Sequence, residues 1–242
     1  MARKKTKTDR KPRRAKAKRP ARKFLWRWLR RGVLGFVALV CLLVALYAVV
    51  NPPTTLYMAS ESRRLGGVAH DWVRMEDVAP VMARSIVAAE DANYCLHWGF
   101  DMQAIRQVIE AGETRGASTL SQQTVKNVFL WHGRSYVRKA LEAMITPVME
   151  LVWSKRRIVE VYMNVAEFDE GVFGVQAAAQ HYFGVNAGQL SETQAARLAA
   201  ILPNPKDRSA SNPGQFVQRR AASIRDGAAT ILRDGRADCF ED

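Results

Sequence analysis

Residues 116–127 read Gly116-Ala117-Ser118-Thr119-Leu120-Ser121-Gln122-Gln123-Thr124-Val125-Lys126-Asn127. A turn of small residues leads into hydroxyl side chains, and Ser118 opens a helix that runs to about Phe129. Ser118, Gln122 and Lys126 stand at i, i+4 and i+8, so they share one helix face. The same pattern recurs on both sides. Asp77 can cap a helix with Pro80 in its first turn, running to Trp98 before Gly99, and Ser135 starts one that reaches Ile145 before Pro147 interrupts it. Further helices fit 148–164, 173–183, 191–202 and 213–234, and Ser191-x-x-Gln194 resembles a capping box. No stretch alternates with period two for more than a few residues, and no internal repeat is present. The expected fold is mostly α, in one body of about 170–190 residues.

Charge separates that body from what precedes it. The 242-residue chain carries a net charge of +14. Residues 1–31 hold 16 basic side chains and one acid, Asp9, leaving 21 basic and 22 acidic side chains in the rest. The body is therefore near neutral, and nucleic acid is not the expected partner. Residues 1–23 are low-complexity and polar, the composition of a disordered segment. Gly32 to Val50 is a 19-residue run without a charge or an amide, about as long as a bilayer core is thick at roughly 1.5 Å per residue. Trp26 and Trp28 stand among arginines at one end, as an interfacial anchor would. The run is longer than a signal-peptide core, and no clean cleavage site follows. The expected organisation is a basic cytoplasmic tail over 1–31, a transmembrane helix over 32–50 closed by Asn51-Pro52-Pro53, and an extracytoplasmic domain over 51–242. The positive-inside rule sets that orientation.

Of three cysteines, Cys41 lies in the apolar run. Cys95 and Cys239 have no metal-ligand spacing and are read as two isolated thiols, one half-buried; a bridge in an oxidising space is the alternative.

Three helical rows carry chemistry. Met82, Ile86 and Glu90 put a carboxylate on an apolar stripe, where partial desolvation would favour an acid or base; a solvated rim carboxylate is the plainer reading. The Ser118, Gln122, Lys126 face offers hydroxyl, amide and ammonium donors at a helix start, which suits a phosphate. A well-capped amphipathic helix explains it equally, and Walker A spacing is absent. Arg134, Arg138 and Glu142 repeat the spacing, and the last two read by themselves as an ordinary i, i+4 ion pair. Together, two carboxylates and a cationic face would serve glycosyl transfer from a diphosphate donor: a base for the incoming hydroxyl, positive charge for the departing diphosphate.

Glu90-Asp91-Ala92-Asn93-Tyr94-Cys95-Leu96-His97-Trp98-Gly99 resembles the E-D-x-x-F-x-x-H-x-G signature of peptidoglycan glycosyltransferases. Gly116 to Asn127 resembles their G-G-S-T-I-x-Q-Q-x-x-K-N block, and Arg138-Lys139-Ala140-Leu141-Glu142 their R-K-x-x-E. Lys155 to Asn164 looks like the K-x-x-I-x-E-x-Y-x-N helix, and Gly171–Phe183 and Leu190–Pro205 continue the likeness. Six ordered blocks thus cover about residues 80–205. Tyr94, Ala117 and Leu120 depart mildly from the pattern and remove no reactive group.

The resemblance implies a lysozyme-like helical domain that polymerises lipid II into β-1,4-linked glycan strands with inversion, releasing undecaprenyl diphosphate, as in the anchored single-domain form of the family. It makes Glu90 the general base and Glu142 the second essential carboxylate, organising the cations or a divalent ion. Ser118, Gln122, Gln123, Lys126, Arg134 and Arg138 would hold the donor, with Asn164 also among the substrate-binding positions. Asp91 and His97 shape the site. No organic cofactor is expected; a divalent cation, Mg or Mn, has room in the reading, with its ligands unknown. The implied partners are lipid II, the growing glycan strand, membrane lipid and cell-division or cell-wall synthesis proteins. The implied location is the inner (plasma) membrane, catalytic domain in the periplasm. A lytic transglycosylase would share the fold without needing the diphosphate face, and a non-catalytic scaffold would not need both carboxylates. Neither S-x-x-K nor K-T-G occurs, so no penicillin-binding transpeptidase is expected here.

Overall fold

The computed structural model describes residues 20–112, 118–133 and 135–241, with side chains from residue 24 onward. Eleven α-helices and three short strands occur among them. The chain divides into two compact units between Val40 and Cys41. Helix α1, Pro20–Tyr47, crosses that division, and its stretch Phe24–Tyr47 is long and apolar enough to span a membrane. It begins well before the apolar run, because the Leu, Trp and Arg residues ahead of Gly32 are acceptable helix formers. It also ends at Tyr47, short of Val50. Residues 20–23, read as part of a disordered tail, are helical, while 1–19 lie outside the described residues.

The second unit is built from α2 (Leu56–Leu65), α3 (Pro80–Glu90), α4 (Met102–Glu110), α5 (Leu120–Phe129), α6 (Tyr136–Val152), α7 (Lys155–Val165), α8 (Val175–Phe183), α9 (Glu192–Ile201), α10 (Gln215–Arg233) and α11 (Asp238–Glu241). Helices α3, α9 and α10 pack together, and α5 packs between α6 and α7. Met82, Ile86, Leu120, Met149, Ile158, Met163, Leu198 and Ile201 are fully buried between these layers. Three strands, β1 (Ala69–His70), β2 (Glu167–Asp169) and β3 (Val172–Phe173), form a small sheet in the order β1-β3-β2. Strand β1 runs parallel to β3, and β2 antiparallel to it. Gly174 follows β3 at φ 84°, where a Cβ would stand 2.9 Å from the Asn164 carbonyl oxygen. Only glycine lets the chain pass so close to α7.

Several boundaries differ from the sequence expectation, each for a local reason. Asp77 ends a 3-10 turn, Met75–Asp77, and α3 starts at Pro80 after Ala79. Helix α3 stops at Glu90, because Asp91 leaves the helical region (φ −163°, ψ 71°) and uses its carboxylate elsewhere. Helix α5 is capped by Thr119, not Ser118, since Thr119 and Gln122 form a reciprocal capping box. Pro147 lies inside α6 without ending it; Ile145 and Met149 stay buried on either side. Ser154 caps α7 and splits the helix expected over 148–164. The isolated-thiol reading is also corrected: Cys95 and Cys239 form a disulfide across 144 residues of sequence, with Cα atoms 5.8 Å apart. Such a pairing leaves no local pattern in a sequence.

Candidate active site

Glu90 ends the Met82, Ile86, Glu90 row as the apolar stripe meets solvent. Its Oε2 accepts a hydrogen bond from Gln123 Nε2 at 2.8 Å. Its Oε1 is buried and has no partner among the described residues. Gln123 is fixed in turn by the Tyr162 hydroxyl, which donates to its Oε1 at 3.2 Å. Burial, with the Glu90 charge adding to it, pushes the Tyr162 phenol well above its ordinary value, so Tyr162 stays a neutral donor. The chain Tyr162, Gln123, Glu90 holds one carboxylate oxygen and leaves the other uncommitted.

Glu142 is held differently. It is 3% exposed, with Arg138 Nη1 donating to Oε2 at 2.7 Å and Lys139 Nζ to Oε1 at 2.5 Å. Two cations on one buried carboxylate offset its desolvation. Lys139 also reaches Ser118 Oγ at 3.1 Å, and Arg138 Nε donates to the Gly133 carbonyl at 3.0 Å. Lys126, on α5, has no hydrogen-bond or ion-pair partner among the described residues. Burial pulls its ammonium below the usual lysine value, against the opposing pull of Glu142; Arg138, Glu90 and Lys139 also act on it. A half-buried, unpaired ammonium thus stands in the field of both carboxylates. Arg134 lies outside the described residues.

Two clefts meet here. The larger, about 450 Å³, is lined by Gln123, Lys126, Asn127, Tyr57, His132 and Lys206 among others. The smaller, about 270 Å³, is lined by Glu90, Asp91, Asn93, Asp101, Ser118 and Thr119 among others. Gln123 lines the first and hydrogen-bonds Glu90, which lines the second.

Other expected site residues serve the frame. Asp91 Oδ2 accepts the Leu120 N–H at 2.9 Å, adding a carboxylate to the N-terminus of α5, and Oδ1 pairs with His97 Nε2 at 2.8 Å. Gln122 Oε1 is used by the Thr119 N–H at 3.1 Å, so this buried amide is a cap. Asn164, expected to bind substrate, is fully buried. Its Oδ1 accepts from Val73 N and its Nδ2 donates to the Val73 and Glu160 carbonyls, at 2.8–2.9 Å. With its donors and acceptor committed to the backbone, it ties the segment after β1 to α7.

Asp91, His97 and Asp101 place three potential metal-ligand atoms within 4.8 Å of one another. Their oxygens are already engaged: those of Asp91 as above, those of Asp101 by Ala104 N and Asn93 Nδ2. The Glu142 oxygens face two cations. Glu142, gripped by two cations, does not fit a divalent ion.

Sequence reasoning missed Tyr57, His132, Glu150 and Lys206. Tyr57 stacks on His132 at 3.6 Å between ring centroids and donates to Glu167 at 2.6 Å. Buried Glu150 accepts from the Ser121 hydroxyl and pairs with Lys155 at 2.9 Å. Ser121 is the second residue of α5, and its inward position was readable from the helix period; the Tyr57 contacts and the Lys206–Glu61 ion pair at 2.8 Å, distant in sequence, were not.

A helical domain following an apolar N-terminal helix, with one carboxylate oxygen left uncommitted, a second carboxylate gripped by two cations and an unpaired ammonium in the field of both, is the equipment of a glycosyl-transfer enzyme. A family model described as Transglycosylase matches residues 59–228. The biosynthetic peptidoglycan transglycosylase of Jannaschia sp. (strain CCS1) is 65% identical over 214 residues, covering 88% of this chain and 90% of its own. That of Caulobacter vibrioides is 46% identical over 225 residues, 90% of this chain and 98% of its own. That of Yersinia pestis (strain Pestoides F) is 44% identical over 233 residues, 88% and 96% respectively. The chain belongs to the transglycosylase family.

Proposed function

We propose that this peptidoglycan transglycosylase polymerises lipid II by direct, inverting displacement in cell-wall synthesis. The observation that carries the reading is Glu90 Oε1, a buried acceptor with no partner among the described residues. An unmet buried acceptor is costly, and its retention fits a group that takes a proton during turnover. In this reading the acceptor 4-hydroxyl enters the smaller cleft and gives its proton to Glu90. The hydroxyl oxygen bonds to the anomeric carbon of the donor while the bond to the diphosphate breaks, turning an α link into β-1,4. Lys126 and Arg138, with Arg134 on the same segment, receive the charge that develops on the departing undecaprenyl diphosphate. Glu142 holds Arg138 and Lys139 in place, Ser118 supplies a hydroxyl at the rim, and Gln123 orients Glu90. Asp91 and His97 keep the N-terminus of α5 in register. These cations supply the charge a divalent ion would otherwise bring, and no step is assigned to a metal.

A polyprenyl-linked donor stays in the bilayer, which accounts for a membrane helix joined to the catalytic domain. The proposed topology puts the basic tail in the cytoplasm and residues 51–242 in the periplasm, anchored in the inner membrane. The disulfide supports an oxidising compartment for that domain. The test offers the purified full chain lipid II and, separately, finished glycan strands. Long glycan from the first is expected. Soluble fragments from the second, with no polymer from the first, would make it a lytic enzyme.

A further inference from the structure

The last residues, beyond the stretch that the family model matches, are fastened to the loop that leaves Glu90. Cys239 bonds to Cys95. Phe240 is fully buried, its ring 6.3 Å from that of Tyr94. Arg236 Nη1 donates to the Ala92 carbonyl at 2.9 Å. The Glu241 carboxylate pairs with Arg84 at 3.0 Å, and its carbonyl accepts from Arg156 at 2.8 Å. From the inner side, Lys155 Nζ donates to the His97 carbonyl at 2.9 Å and sits 4.2 Å above the Tyr94 ring. The Tyr94 hydroxyl donates back to the Lys155 carbonyl at 3.1 Å. Residues 91–97 are thus gripped from both sides, and the outer grip is covalent. This loop carries Asp91, whose carboxylate accepts the first N–H of α5, and it follows directly on Glu90.

We infer that the Cys95–Cys239 disulfide is a positioning device for the catalytic loop, making turnover depend on the redox state of the chain. The inference rests on Glu90 being the base. Closing the bond takes two electrons and two protons from the thiols, passed to a disulfide-donating oxidoreductase whose own disulfide becomes a dithiol. Dithiothreitol reverses it, leaving as a cyclic disulfide while both thiols are restored. Cys95 and Cys239 are each half-buried, so a small reductant can reach the bond. With the bond open, the Phe240 and Arg236 contacts remain but no longer pin the loop. A misplacement of about 1 Å at a reacting group can cost on the order of 10²-fold in rate.

The test uses the full chain in detergent with Cys41→Ser, which removes the exposed free thiol. Oxidised and dithiothreitol-reduced protein are compared on lipid II at a temperature where circular dichroism shows both folded. Reduction is expected to lower kcat roughly tenfold or more with KM within about twofold, reoxidation to restore it, and Cys239→Ser to give the low rate with or without reductant. Amide hydrogen exchange over residues 91–97 should quicken in parallel. Equal kcat in folded oxidised and reduced protein would overturn the inference. If Cys239→Ser fails to fold, the wild-type pair still decides. If oxidised protein makes no polymer, the functional reading fails, and hydrogen exchange alone judges the clasp: quickening over 91–97 supports it, unchanged exchange overturns it.

Discussion

At the scale of single residues, Lys126 shows a site working against stability. Burial, more than the attraction of Glu142 offsets, pulls its ammonium below the ordinary lysine value. The folded chain then binds this proton less well than the unfolded chain, so the residue costs stability at neutral pH, and the cost fades as pH rises toward the usual lysine value. Lys126→Met should therefore melt above the wild type at pH 7 while depressing turnover more than substrate affinity, because the departing diphosphate needs the charge. A variant that melts lower, or loses only affinity, would contradict this. His132 gives a pH dependence of its own. Partly stripped of water against Tyr57, and facing Lys126, Arg138 and Lys206, it is pushed down to about 4. Its folded pKa lies below its unfolded value of about 6.5, so stability should fall as pH drops between the two. The slope should be shallow, because the residue keeps a solvent-facing edge, and His132→Phe should flatten it in thermal melts across that range.

At the scale of elements, the site depends on how α5 is seated against α6. Gly99 lies where these meet, at φ 80°, and its carbonyl accepts from Thr119 Oγ1 at 2.7 Å. Alanine there would put a methyl 2.9 Å from Thr146 Cγ2 and 3.3 Å from Glu150 Cγ in a left-handed conformation. Gly99→Ala should cost about 1–3 kcal/mol, seen as a fall of several degrees in melting temperature. No change would mean that the packing is looser than described. Elements with strong local chemistry were legible: Ser135 and the Ser191–Gln194 box cap their helices as expected. Elements whose ends depend on distant partners were not. Asp91 breaks α3 to serve α5, a choice made across 29 residues. Strands of two or three residues are too short to show a period, and the polar face expected of Gln122 turns inward because its amide closes the capping box.

At the scale of the whole molecule, charge and hydropathy foretold a long apolar N-terminal helix and a mostly α-helical body, because both are bulk properties of long segments. The disulfide and the Tyr57–His132 wall of the larger cleft join segments far apart in sequence, and nothing local announces them. The same holds for the site: Glu90, Lys126 and Glu142 could be named from sequence, but not that Gln123 would link Glu90 to Tyr162 or that Asn164 would be spent on the backbone. The central claim is that Glu90 takes the acceptor proton through the oxygen left without a partner. Its most direct test is the steady-state rate of lipid II polymerisation by Glu90→Gln, in protein shown by circular dichroism and melting to be folded. The swap keeps shape and can still pair with Gln123, so the account predicts a native fold with turnover lower by roughly 10²–10⁴-fold, as for loss of a general base. Folded Glu90→Gln that makes glycan at near wild-type rate would contradict it.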